Sequence, residues 1–241
     1  MGQGWNWSGF FDYLFNLYIL GGVVTTVWLT LAAIVGGMVL GTVLALARLS
    51  SRVWLNGPAH FYIWLFRGTP LLVQLIIIYT GLPQLGLKLS VIESALLGLI
   101  LNEAAYLAEI IRGGIQSISV GQTNAARAMG FTGPQTLRYV VMPQAMRLIM
   151  PTLGNSINGL LKTTSITSVI SMEELLRRTQ VLIQEKFMVL ELFLVAAFYY
   201  LLLTTLWDFV QRRIERHYGR AYSSASTGKA AVVAAELIEQ R

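Results

Sequence analysis

Cysteine is absent from the 241 residues, and histidine occurs only twice, at His60 and His217. The first absence excludes disulfides and thiolate-bound metal. The second leaves two imidazoles too far apart in sequence to suggest a metal site. Charge is scarce as well: Asp, Glu, Lys and Arg make up 12% of the chain, against roughly 25% in soluble domains. A phosphate-cradling G-x-x-x-x-G-K-[ST] loop is missing, because the Gly228-Lys229 pair is followed by Ala230. The chain therefore does not bind and hydrolyse ATP through a loop of that type. No nucleophile–base or metal constellation stands out, so an enzyme finds little support.

What abounds is apolar surface. Hydrophobic residues reach 55% and the mean hydropathy is +0.60. A soluble core could not hide so much, so the expectation is an all-α integral membrane protein. Net charge is +6 and the isoelectric point about 9.7. In this class basic residues mark cytoplasmic loops rather than nucleic-acid binding. No Lys or Arg precedes the first apolar run, which argues against a cleaved signal peptide.

A membrane-crossing helix needs about 20 apolar residues. Five stretches qualify: 20–47, 58–80, 91–111, 145–170 and 190–210. The first and last are the clearest; Arg67 and Pro70 interrupt the second, and Pro151 is expected to break the fourth. Five spans put the termini on opposite sides. One side then receives Arg48, Arg52, Arg112, Arg127, Arg138, Arg147 and the basic residues of the tail; the other receives Lys88, Arg177, Arg178 and Lys186. By the positive-inside rule the N-terminus lies outside and the C-terminus inside. The organisation is thus an extracytoplasmic or interfacial segment (1–19), a transmembrane domain (20–211) and a basic cytoplasmic tail (212–241). Gly21, Gly22, Gly36, Gly37 and Gly41 allow close helix approach in the first span. The tail begins as a Ser-rich linker and ends weakly helical, so it is expected to be poorly ordered or peripheral.

Residues 121–143 are then cytoplasmic. QTNAARAM favours helix, Gly130 is a natural left-handed stop, and Thr132 can cap a second helix with Pro134 in its first turn. Pro143 marks that helix's end or a kink. The spacing predicts a helix–turn–helix knob on the inner face, with Ala125 and Ala126 offering a flat surface to a partner. A solvated linker would satisfy the same residues.

Asn124-Ala-Ala, three residues, Gly130, nine residues and then Val140-Val-Met-Pro143 resemble the EAA loop of permease subunits of ATP-binding-cassette importers. Asn124 stands where that family usually has Glu. RGTPLLVQL (67–75), AYLAEIIRGGIQSI (105–118), Gly121-Gln122, PQAMR (143–147) and LKTTSITSVI (161–170) resemble the polar amino-acid branch of these permeases, over roughly residues 20–210. The resemblance implies a multi-pass protein of the bacterial cytoplasmic (inner) membrane forming half of a pore. A second permease, identical or paralogous, would form the other half. Two cytoplasmic ATPase subunits would bind ATP and Mg, with no cofactor in this chain, and an extracytoplasmic amino-acid-binding protein would deliver the solute. It further implies that Gly121, Gln122, Asn124, Ala125, Ala126, Arg127, Gly130 and Phe131 form the coupling loop.

Embedded polar groups face a partner or a cavity. Asn102, Tyr106 and Glu109 share one helical face and could meet an amino acid's polar groups, with Glu103 nearby. Glu109 could equally pair with Arg112. Asn155, Asn158, Lys162, Thr163, Thr164 and Ser165 follow in the fourth span. Their hydroxyls either line a pathway or bond their own helix; the family-like position of Lys162-Thr-Thr-Ser favours the pathway, with Gln144 accompanying. Gln74 and Arg67 read as structural contacts between helices. Tyr199, Tyr200 and Trp207 suit interfacial anchors or bundle contacts. An ion-coupled secondary transporter using Glu103 and Glu109 as a proton relay is the alternative; five spans without an internal repeat weigh against it.

Overall fold

A computed structural model describes residues 7–239, with side chains placed through residue 216. Every regular element among the described residues is helical: α1 (Trp7–Leu14), α2 (Leu17–Leu49), α3 (Val53–Gly68), α4 (Leu71–Ile76), α5 (Val91–Gln116), α6 (Val120–Ala128), α7 (Gly133–Gln135), α8 (Met142–Thr163), α9 (Leu175–Lys186) and α10 (Val189–Glu239). The expected tail structure falls mostly outside the residues with described side chains, as do residues 1–6; the α10 backbone runs on through the tail to Glu239.

Among the described residues three helices are long and apolar enough to cross a membrane: α2, α5 and the Val189–Arg216 part of α10. Their outward faces carry Val24, Leu31, Val35, Val39 and Val43 on α2, and Phe193, Phe198, Leu201 and Leu206 on α10, all exposed. Lipid is the solvent that suits such a surface.

The second expected span is not one helix. α3 and the Leu71–Leu85 segment meet at a bend of 103°. Pro70 has no N–H and forces Thr69 into extended geometry (φ −117°, ψ 144°), which ends α3. Backbone groups freed inside a bilayer must find other partners. Here Gln74 Nε2 donates to the carbonyls of Phe66 (2.9 Å) and Thr69 (3.1 Å), and Asn102 Nδ2 donates to Phe66 O (3.2 Å) and to Gln74 Oε1 (3.1 Å). Gln74 is thus the structural contact expected of it.

The fourth expected span also differs. Pro151 lies inside a continuous α8, which is not broken there. By composition α8 falls short of a membrane-crossing helix. It spends its polar residues on neighbours: Asn158 Nδ2 donates to Asp208 Oδ1 (2.6 Å), Gln211 Nε2 donates to Asn155 Oδ1 (3.2 Å), and Trp207 Nε1 donates to Gly154 O (2.8 Å). Trp207 is a bundle contact between α8 and α10.

α5 is the central helix, opened by a capping box in which Ser90 and Glu93 satisfy each other's backbone N–H. It packs along α2 with little between them. A Cβ added at Gly41 would stand 2.9 Å from the Ala104 carbonyl, and one at Gly37 3.2 Å from the Glu103 stem. These glycines set the helix separation, as expected of small residues in a membrane bundle.

Candidate functional site

A cleft of about 560 Å³ opens where the α3–α4 bend faces α5 and α8. The bend contributes Arg67, Gly68 and Thr69, α5 contributes Asn102, Glu103 and Tyr106, and α8 contributes Ser156, Gly159 and Thr163. Glu103 is 7% exposed and accepts one hydrogen bond, from Ser156 Oγ at 2.5 Å. Its carboxylate is therefore buried, lightly partnered and adjacent to the cleft. A second cleft, of about 390 Å³, adjoins the first and is lined by Arg48, His60, Trp64, Arg67, Tyr106 and Glu109.

Asn102, Glu103, Tyr106 and Thr163 of the expected pathway thus meet in one cleft. Glu109 lies in the second, with its carboxylate already engaged: Arg112 donates from Nε (2.9 Å) and Nη2 (2.7 Å), and Arg67 stands off at 3.8 Å. The ion pair with Arg112 is the alternative realised.

Gln144, Asn158, Lys162 and Ser165 line neither of these two clefts. Asn158 faces α10. Lys162 is exposed in the last turn of α8, and Ser165 donates to its carbonyl (2.7 Å). Thr163 and Thr164 donate to carbonyls of their own helix, at Gly159 and Leu161. Gln144 Nε2 donates to Val140 O (2.8 Å) and reaches Gln122 Oε1 at 3.5 Å, which places it beside the cytoplasmic loop expected from the sequence.

One residue escaped the sequence, and another does more than was read from it. Arg67, read as a structural contact, lines both clefts, with its guanidinium over the Tyr106 ring, Cζ to centroid 5.4 Å. A signal existed: an arginine next to Gly-Thr-Pro, where a helix must stop and expose its last turn. Glu174 is fully buried and caps α9. It accepts from Leu176 N (3.0 Å), Arg177 N (2.8 Å) and the Tyr200 hydroxyl (2.8 Å). It lies in the connection between Ile170 and Leu175, outside the spans. An acid immediately before an amphipathic dodecamer was the available signal. Burial pushes its carboxyl above the usual carboxylate range, against the backbone and Tyr200 hydrogen bonds that pull it down.

The loop 121–143 folds as a knob. α6 ends in a Schellman motif: Phe131 N–H donates to Ala126 O (3.1 Å), Gly130 N–H donates to Arg127 O (2.9 Å), and Gly130 has φ +86°. Thr132 N–H donates to Gln135 Oε1 (2.8 Å), with Pro134 in the first turn of α7. Gly121, Gln122, Asn124, Ala125 and Arg127 are exposed, and Phe131 is half-buried. Ala126, expected on an outward face, is 2% exposed and packs into the knob. Pro143 neither ends nor breaks the second helix. Instead a π-turn at Thr136–Val141 leads into α8, whose first turn holds the proline. The wider turn suits a ring that would otherwise clash with the carbonyl four residues earlier.

A bundle with lipid-facing helices outside and a polar cleft within defines a permease-type membrane protein. Residues 37–220 match the family of the binding-protein-dependent transport system inner membrane component. The chain belongs to that family, whose members are permease subunits of the inner membrane. It is 36% identical to the arginine transport system permease protein ArgU of Corynebacterium glutamicum, over 94% of this chain and 76% of that one. It is also 36% identical to the glutamine transport system permease protein GlnP of Escherichia coli K12, over 82% and 91%. Among solved structures, a crystallised amino acid ABC transporter with histidines superposes with a TM-score of 0.84 at 34% identity, covering 89% of this chain and all of that chain. An inward-facing MetNI methionine ABC transporter shares the fold, with a TM-score of 0.71 at 20% identity.

Proposed function

We propose that this chain forms half of the translocation pathway of an ATP-driven importer for polar amino acids. Its N-terminus lies outside and its C-terminus inside. A second permease subunit, another copy or a paralogue, completes the pore. Two cytoplasmic ATPase subunits bind ATP and Mg, and an extracytoplasmic amino-acid-binding protein supplies the solute. The names of the relatives support the solute class. The observation that carries it is the first cleft, which brings the Arg67 guanidinium and the Glu103 carboxylate to one space. A zwitterion needs both: a cation for its carboxylate and an anion for its ammonium.

The knob supplies the coupling. Its Schellman turn and capped second helix make it stiff, and its ends run into α5 and α8, which both line the cleft. A push on 121–131 from an ATPase that closes on ATP therefore reaches the cleft through two continuous helices. Alternating access is this two-state motion biased by nucleotide. The test is Gly130→Ile in the reconstituted complex. A β-branched residue at φ +86° is strained, so the turn deforms. ATP hydrolysis should persist while uptake falls at least tenfold. Solute-stimulated hydrolysis and uptake both at wild-type level would overturn the proposal.

A further inference from the structure

The two clefts share Arg67, Gly68 and Tyr106. Along α5, Asn102 and Glu103 belong to the first cleft and Glu109 to the second, so the two are stacked over about 10 Å of helix rise. Tyr106 stands between them, with Arg67 laid across its ring at 5.4 Å. We propose that the Arg67–Tyr106 stack is the gate separating the two clefts, and that it opens when the guanidinium leaves the ring.

Each feature of the pair suits a partition that moves. The Arg67 side chain is 44% exposed, and the carboxylate nearest to it, Glu109, is at 3.8 Å and already held by Arg112. The guanidinium is thus restrained mainly by a cation–π contact, an interaction weak enough to exchange for a better anion. Arg67 also sits in the last turn of α3, directly before the 103° bend. Nothing lies within 4 Å of a Cβ built on Gly68, which leaves room for a swing. A small change in the bend angle therefore moves the guanidinium more than any residue deeper in α3.

The gate lies within the pathway proposed above, but its test needs no transport. Because the chain has no cysteine, each introduced thiol is the only one it carries. Two reporters are made in vesicles holding the full complex: His60→Cys in the second cleft and Thr163→Cys in the first. A membrane-impermeant charged methanethiosulfonate is added on whichever side labels His60→Cys. Thr163→Cys should label slowly in the otherwise wild-type chain. Its rate should rise about tenfold with Tyr106→Leu, which removes the ring face and the cation–π contact. The rise should recur with Arg67→Gln, so the test survives if the leucine variant fails to assemble. Tyr106→Phe keeps the ring and should leave the rate unchanged, and His60→Cys should label equally in every background. Equal Thr163→Cys rates in all backgrounds, or an equal rise with Tyr106→Phe, overturn the gate. Failure of the importer reading would show separately, as a wild-type complex that does not take up amino acids.

Discussion

Two buried acids, Glu174 and Glu103, show how partnering separates scaffold from site. Glu174 is fully buried and accepts three hydrogen bonds, two from the first turn of its own helix and one from Tyr200 across on α10. Glu103 is nearly as buried, yet one hydroxyl, Ser156, is its hydrogen-bond donor, and a polar cleft lies beside it. Burying a charge is costly unless it is paired and hydrogen-bonded. Glu174 is offset within the scaffold, next in sequence to Leu175 of the apolar cluster that also holds Ile19 and Leu192. Glu103 keeps unused acceptor capacity, which is what the proposed solute-facing role requires.

The largest effect that tests this contrast is Glu174→Leu. It strips a helix cap and leaves three half-buried donors without that acceptor, so it should cost about 2 kcal/mol or more. Glu103→Leu deprives one hydroxyl and should cost about 1 kcal/mol. Thermal unfolding of the detergent-purified complex measures both, and equal losses would erase the distinction. Next comes uptake: Glu103→Gln should lower it at least tenfold while leaving the unfolding transition within about 1 kcal/mol of wild type. A variant that transports normally would return Glu103 to the scaffold.

A subtler change approaches Glu103 from behind. Gly37→Ala adds a methyl 3.2 Å from the Glu103 stem. It should slow uptake severalfold at a stability loss of about 1 kcal/mol. Gly57→Ala, with nothing within 4 Å of the new methyl, should leave uptake unchanged in the same assay.

The smallest effect is a pH slope. With its carboxyl held above the usual carboxylate range by burial, folded Glu174 binds its proton more tightly than the unfolded chain does. Stability from this group is then complete below the ordinary carboxylate pKa and declines as pH rises through the raised folded value. Glu174→Gln should flatten that part of the pH profile of thermal unfolding. A wild-type profile that rises over the same window would contradict the assignment.

Much of this was readable before any coordinates. The runs at 20–47 and 190–210 are spans because no charge interrupts the first and the charges of the second, Glu191 and Asp208, lie near its ends. Gly130 was legible as a stop because glycine takes the left-handed conformation that ends a helix, and Gln74 as a structural contact because an embedded amide needs partners. The bend at Thr69–Pro70 was only half legible. Proline announces a break, but its 103° angle depends on Gln74 and Asn102 reaching Phe66, and Asn102 lies in another helix. Arg67 is the contact between helices expected of it, to Glu109 and Tyr106 of α5, but its place on two clefts was not legible, since these exist only once α3 turns away from α4. Period alone cannot say which neighbour a polar face meets: Asn158 bonds Asp208 of α10, and Gln144 bonds the backbone of its own segment and reaches Gln122.

The bend itself has a mechanical consequence. A helix that kinks within its own ladder must break rungs to pivot, but α3 and α4 are joined by amide side chains that bridge the gap. Such a joint behaves as a swivel pin: one rod can rock while the other stays seated, and the side-chain links adjust instead of the helices unravelling.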